Sequence, residues 1–126
     1  MHQTVIIADD AQFMRVMLRD ILETSGFQVV AEAADGRQAI DVYGEYRPDL
    51  ALLDITMPGI DGITACREIV QQDPEAKVVV ISALGQRDAV LAAIRAGAAD
   101  FVVKPFEADR VVETLLKLQS QAVPAG

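Results

Sequence analysis

The chain of 126 residues is 52% apolar and 24% charged, which excludes a disordered polypeptide and suits one domain, residues 1–126, around a single sizeable core. Its net charge of -8 excludes direct nucleic-acid binding, because that needs a basic face. The single cysteine, Cys66, excludes an internal disulfide. The opening MHQTVIIADD has no basic segment ahead of a long apolar one, and no apolar run is long enough for membrane insertion, so the sequence reads as soluble and cytoplasmic.

Along the chain, short apolar runs alternate with amphipathic stretches of helical length. Thr4 to Ala8 predicts a strand, and Met14, Met17, Leu18, Ile21 and Leu22 then recur at helical spacing as a core stripe that ends at Gly26. A second strand is expected over Phe27 to Ala31, followed by a helix from Gly36 to Tyr46 with Ala39, Ile40 and Tyr43 inward. Leu50 to Leu53 forms the third strand. After an Asp61-Gly62 turn, the third helix carries Ile63, Cys66, Ile69 and Val70. The fourth strand spans Val78 to Ile81, and its helix, Arg87 to Ala96, turns Val90, Leu91 and Ile94 inward before Gly97. Phe101 to Val103 is the fifth strand. The last helix, Ala108 to Gln121, uses Val111, Val112, Leu115, Leu116 and Leu118, and residues 120–126 read as a flexible tail.

Five strands alternating with five helices imply an α/β fold with a parallel sheet covered on both faces. Ten elements are too few for an eight-stranded barrel. The expected architecture is therefore a doubly wound, flavodoxin-like (βα)5 sheet of order 2-1-3-4-5. Ligands of such sheets bind beyond the carboxyl ends of the strands, at the reversal of strand order. Asp9 and Asp10 follow the first strand, Asp54 the third, Ser82 the fourth and Lys104 the fifth, so all five should converge in one crevice.

Crowded carboxylates repel by roughly 4 kcal/mol per pair at 4 Å for an effective dielectric near 20. A compensating cation is needed. Oxygen ligands with no His or Cys beside them suit Mg²⁺, and Lys104 adds a fixed positive charge. A divalent ion, a lysine and a hydroxyl around one carboxylate are arranged to place a phosphoryl group on it.

The segments ADD, LLDITMPGIDG, SALG and DFVVKPF together resemble the receiver domain of two-component response regulators, from Val5 to about Leu118. Within that family DDAQFMR, DITMPG, SALGQ and AGAADFVVKPF are most similar to the stand-alone chemotaxis regulators of the CheY type. The resemblance implies that Asp54 accepts a phosphoryl group from a histidine kinase or a small donor such as acetyl phosphate. It implies Mg²⁺ bound by Asp10 and Asp54, by Asp9 through water, and by the Thr56 backbone carbonyl. Lys104 would pair with a phosphoryl oxygen and the Ser82 hydroxyl would move toward another, with Phe101 as the aromatic of the switch; tyrosine is common there, so Phe101 lacks its hydroxyl. Ala83 would leave the phosphoryl group open to a phosphatase or water, and Thr56 and Leu84 would flank that access. The expected output is a change in affinity for a protein partner, the flagellar motor switch, by a monomer, through a face that includes Arg87, Ala96, Phe101 and Arg110.

Each residue alone has a plainer reading. Asp9-Asp10 could cap a helix, Asp54 could cap a loop, Asp61-Gly62 is a turn, Ser82 ends a strand, and Lys104-Pro105 is a loop whose isomer the sequence leaves open. Cys66 reads as a small hydrophobe, His2 as part of a frayed terminus, Phe13 as partly exposed, and Glu107, Asp109 and Glu113 as a solvated face. Three rival readings share parts of this pattern. A phosphatase of the aspartate-nucleophile class needs an acid two residues after the nucleophile, where Thr56 stands. A flavodoxin-like carrier needs a hydroxyl- and glycine-rich first loop, where ADDAQF stands. The third shares the chemistry: a receiver domain cut from a longer regulator with a DNA-binding or enzymatic effector.

Overall fold

The computed structural model describes residues 3–122, with side chains through 119. Its elements alternate strictly: β1 (Thr4–Ala8), α1 (Gln12–Thr24), β2 (Gln28–Ala33), α2 (Gly36–Tyr46), β3 (Leu50–Asp54), α3 (Gly62–Gln72), β4 (Val78–Ala83), α4 (Arg87–Arg95), β5 (Asp100–Lys104) and α5 (Ala108–Ala122). The sheet is parallel throughout, in the order β2-β1-β3-β4-β5. Helix α5 continues through Ala122, so the tail expected at 120–126 begins inside a helix. Residues 123–126 and His2 lie outside the described residues.

Alternation along each strand divides the interior into two clusters, one on each face of the sheet. Val5 and Ile7 of β1, Leu50 and Leu52 of β3, and Val79 and Ile81 of β4 pack with Leu18 and Leu22 of α1 and Val111, Leu115 and Leu118 of α5. Ile6, Ala8, Ala51, Leu53, Val78 and Val80 face the other way, against α2, α3 and Ala93 of α4. Every residue of β3, LALLD, is buried. Such a strand, covered on both faces, has no polar side and shows as a continuous apolar run.

The helix faces depart from expectation in places. On α1 Leu18 and Leu22 are fully buried and Met14 and Ile21 pack against them, but Met17 is 41% exposed rather than part of the core. On α4 the inward residues are Ala89, Val90 and Ala93. Small side chains bring this helix close to the core and rotate Leu91 and Ile94 onto its open side, where both are exposed, as is Leu116 on α5. Strand β2 lies later than expected, because Phe27 packs into the core ahead of the ladder. Strands β3, β4 and β5 run past the apolar residues to include Asp54, Ser82-Ala83 and Lys104, because pairing follows backbone hydrogen bonds, not side-chain polarity. Asp61 is more than a turn residue: it caps α3 by accepting from the Thr64 N–H at 2.7 Å.

Cys66 sits in the α3 cluster with no exposure, and burial pushes its thiol up to about 11 from 9.0, only slightly offset by the charge of Arg67. The thiolate is the reactive form. A thiol reagent at pH 8 should therefore modify the folded protein at least about a hundredfold more slowly than the protein in denaturant, by the loss of thiolate alone. Equal rates, followed by absorbance of the released chromophore, would contradict this packing.

Candidate functional site

The parallel register assembles the site. Ala8 pairs with Leu53 and Asp54 with Ile81, which sets the residues after β1 and the end of β4 on either side of Asp54. Carboxylate oxygens of Asp9, Asp10 and Asp54 all lie within 4.8 Å of one another. Asp9 and Asp54 are buried and Asp10 is exposed. The backbone behind Asp54 is equally fixed. A Cβ on Gly62 would clash with the Asp54 carbonyl, so only glycine allows α3 to start there, and the Gly62 N–H donates to the Ile55 carbonyl at 2.8 Å.

Lys104 reaches across from the end of β5. Its Nζ lies 2.7 Å from Asp54 Oδ2 and 3.5 Å from Asp9 Oδ2. The other Asp54 oxygen accepts the Thr56 N–H at 3.1 Å, and Asp9 Oδ1 accepts the Ala11 N–H at 2.9 Å. Thus Asp9 braces the loop ahead of α1 through Ala11 and does not itself cap that helix. The Lys104–Pro105 peptide is cis.

These contacts do not neutralise the cluster. Burial raises the Asp9 carboxyl above its ordinary value, and the neighbouring Asp54 charge adds to this against the opposing effects of the Ala11 N–H and Lys104. For Lys104 burial works downward, but its hydrogen bond to Asp54 and the charges of Asp54 and Asp9 outweigh it and hold the ammonium above its usual range. One lysine faces three carboxylates. The donor set is oxygen alone, which fits a hard divalent cation rather than a thiophilic or imidazole-bound one.

Ser82 is buried, and its Oγ has no hydrogen-bond partner among the described residues. A buried hydroxyl left unpaired is uncommon and costs about 1–3 kcal/mol. Ser82 lines an apolar groove of about 420 Å³ together with Leu84, Val90, Leu91, Ile94 and half-buried Phe101. The five residues expected in one crevice therefore separate slightly: Lys104 bonds Asp9 and Asp54 and Asp10 lies within 4.8 Å of both carboxylates, while the Ser82 hydroxyl stands beside the groove without bonding to them. Sequence reasoning missed Gln86. Its Oε1 accepts the Ala83 N–H at 2.6 Å and its Nε2 donates to Thr56 Oγ1 at 3.2 Å. The available signal was a polar residue other than a usual capping type directly ahead of α4.

Removing charge from this cluster should stabilise the protein when no cation is present. In Asp9→Asn the amide oxygen still accepts from Ala11 while one carboxylate is lost. Because folded Asp9 holds its proton above the ordinary 3.8, its ionisation costs wild-type stability as pH rises through that value, with the penalty complete above the folded value. In chelator at pH 7 the variant should melt higher, and the two proteins should converge below pH 3.8. A divalent cation at ten times its dissociation constant should then stabilise wild type by about 1.4 kcal/mol and the variant by much less. Coincident melting curves across pH would refute the repulsion.

Comparison with known proteins accords with this geometry. Residues 5–116 match the model of the response regulator receiver domain. The chemotaxis protein CheY of Bacillus subtilis is 55% identical over 117 residues, 93% of this chain and 98% of that protein. CheY of Thermotoga maritima is 52% identical, over 94% of this chain and 98% of its own. The solved CheX-CheY-BeF3-Mg+2 complex from Borrelia burgdorferi superposes with a TM-score of 0.88 at 36% identity, over 93% of this chain and 89% of that one. With the sheet order, the acidic pocket of Asp9, Asp10 and Asp54 and this likeness in agreement, the chain belongs to the response regulator receiver domains, as a CheY-like phospho-accepting switch that signals rather than turns over a substrate.

Proposed function

We propose that Asp54 is the phosphoacceptor, that the cation is Mg²⁺, and that the phosphorylated form binds the flagellar motor switch. The observation that carries the reading is the Lys104 ammonium 2.7 Å from Asp54 within a cluster of carboxylates. That lysine ties down one Asp54 oxygen and stands ready for the oxygens of an incoming phosphoryl group. Asp9, Asp10, Asp54 and the Thr56 carbonyl are the groups that would hold Mg²⁺. When bound, the ion neutralises charge on the phosphoryl oxygens.

The reaction needs little covalent machinery from the protein. An Asp54 oxygen forms a bond to phosphorus as the bond from phosphorus to the imidazole nitrogen of a histidine kinase, or to the acetate oxygen of acetyl phosphate, breaks. Lys104, held charged at neutral pH by its carboxylate neighbours, stabilises the transferring group. The modified side chain then carries roughly two negative charges and strong acceptor oxygens. Ser82, unpaired in this conformation, has a donor to offer it. Its movement vacates space beside the groove into which half-buried Phe101 can turn, altering the surface of α4, β5 and α5. That face carries exposed Leu91 and Ile94, with Arg87, Ala96 and Arg110 alongside, and serves as the output surface.

The CheY relatives, of which this chain covers 98%, support the reading of a single receiver domain, and a cytoplasmic monomer belongs to the same proposal. Among the described residues no helix is long and apolar enough to cross a membrane. The Borrelia complex with CheX supports a phosphatase as a further partner, since exposed Ala83 and Leu84 leave the site open on that side.

Asp54→Asn should abolish acid-labile phosphate after treatment with acetyl phosphate and Mg²⁺; retention would reassign the acceptor. Lys104→Ala should leave Asp54 modifiable yet uncouple it from output, and normal phosphate-dependent partner binding would exclude that role. Calorimetric titration with a motor-switch peptide should show binding at least about tenfold tighter with beryllium fluoride and Mg²⁺ than with Mg²⁺ alone, a bias of about 1.4 kcal/mol. No difference, with Asp54 shown to be modified, would exclude the motor as the output.

A further inference from the structure

Gln86 occupies the capping position of α4, yet its side chain makes no bond to that helix. It turns back instead. Its carbonyl takes the Ala83 N–H at 2.6 Å and its amide nitrogen donates to Thr56 Oγ1 at 3.2 Å. Both partners adjoin the phosphoacceptor. The Thr56 N–H holds Asp54 Oδ1 at 3.1 Å. Ala83 follows Ser82 at the end of β4, one strand away from Asp54 in a ladder where Asp54 pairs with Ile81. One neutral side chain therefore ties the β3–α3 loop to the β4–α4 loop beside the site.

We propose that Gln86 is a positioning residue that holds the β4–α4 loop in its resting place by occupying the Ala83 N–H, and so sets how readily Asp54 takes and keeps a phosphoryl group. The inference rests on the reading of Asp54 as phosphoacceptor. Its physical basis is competition for a donor. The resting loop leaves Ser82 Oγ buried without a partner, an unfavourable arrangement that the two Gln86 bonds offset. A dianionic phosphoryl group is a stronger acceptor than a neutral amide, because hydrogen bonds to charged oxygens are about twice as strong. The Ala83 N–H and the Ser82 hydroxyl, adjacent at the end of β4, can both turn to it once Gln86 lets go. Releasing Gln86 also frees the Thr56 hydroxyl, so both loops loosen together.

The test is Gln86→Met, which keeps the length of the side chain and its packing but neither hydrogen bond, with Gln86→Ala as a second variant. Beryllium fluoride affinity in Mg²⁺ is read by calorimetry, and the initial rate of Asp54 phosphorylation is read with acetyl phosphate. Loss of the two neutral hydrogen bonds that oppose the switch should tighten beryllium fluoride binding at least about fivefold in both variants and speed phosphorylation in the same direction. A general loss of structure would not have that sign. Hydrogen exchange supplies an independent readout: the Ala83 amide should be protected in resting wild type, exposed in resting Gln86→Met, and equally protected in both once beryllium fluoride is bound. Thr56→Val should act in the same direction and be non-additive with Gln86→Met. Unchanged or weaker affinity in the Gln86 variants, while wild type binds the mimic in an Asp54-dependent way, overturns the role of Gln86 alone. Binding that persists in Asp54→Asn overturns the phosphoacceptor reading beneath it.

Discussion

The site depends on one electrostatic constraint: three carboxylates held within 4.8 Å of one another, two of them buried, with a single lysine to offset them. Left to itself such a cluster would spread apart or take up protons, and Asp9 is displaced upward, first by burial and then by the Asp54 charge beside it. It persists because the backbone gives it no freedom. Asp9 follows β1 and Asp54 closes β3, adjacent strands of a ladder packed on both faces. The core thus stores an unfavourable charge arrangement that a divalent cation relieves, and fold stability and cation binding are coupled at this point.

The same sheet separates what is rigid from what is free to move. Asp54 is anchored by a fully buried strand, by Gly62 against its carbonyl, and by donors to each carboxylate oxygen. The β4–α4 loop is held far less firmly. Helix α4 begins without a side-chain cap, Leu84 is 75% exposed, and Gln86 supplies the polar contacts that fasten the loop to its neighbour. Chemistry at a fixed acceptor can therefore shift a nearby element whose two positions differ by a few hydrogen bonds, the condition for a population switch of modest cost. The apolar groove beside Ser82 gives that shift a path to the surface, since Phe101 and α4 share its walls.

Much of this was legible in the residue order. The alternation of β-branched runs with helical stripes specified the element sequence and a parallel, doubly wound sheet, because buried parallel strands cannot be polar on either side, and the order 2-1-3-4-5 was the expected arrangement of such a sheet. Asp54 stood out for the same reason: a charge ending an apolar run has to be accounted for. Helix orientation was harder to read. Met17, Leu91 and Ile94 fit the inward stripe by spacing, yet all three are exposed, since the rotation of a helix about its axis depends on the bulk of the residues opposite it. Small residues at Ala89 and Ala93 decided that for α4.

By itself, then, the sequence determined the fold class, the convergence of the acidic residues with Lys104 and the likeness to receiver domains, since these follow from periodicity and from positions at strand ends, both properties of local order. Only the tertiary structure decided that Ser82 Oγ lies buried and unpaired, that Lys104 rests on Asp54, and that Gln86 bridges Ala83 and Thr56 across 30 residues of chain. Those are matters of ångströms between side chains on different elements. Hydrogen bonding weakens steeply outside a narrow range of distance and angle, and no spacing rule along the chain fixes that geometry.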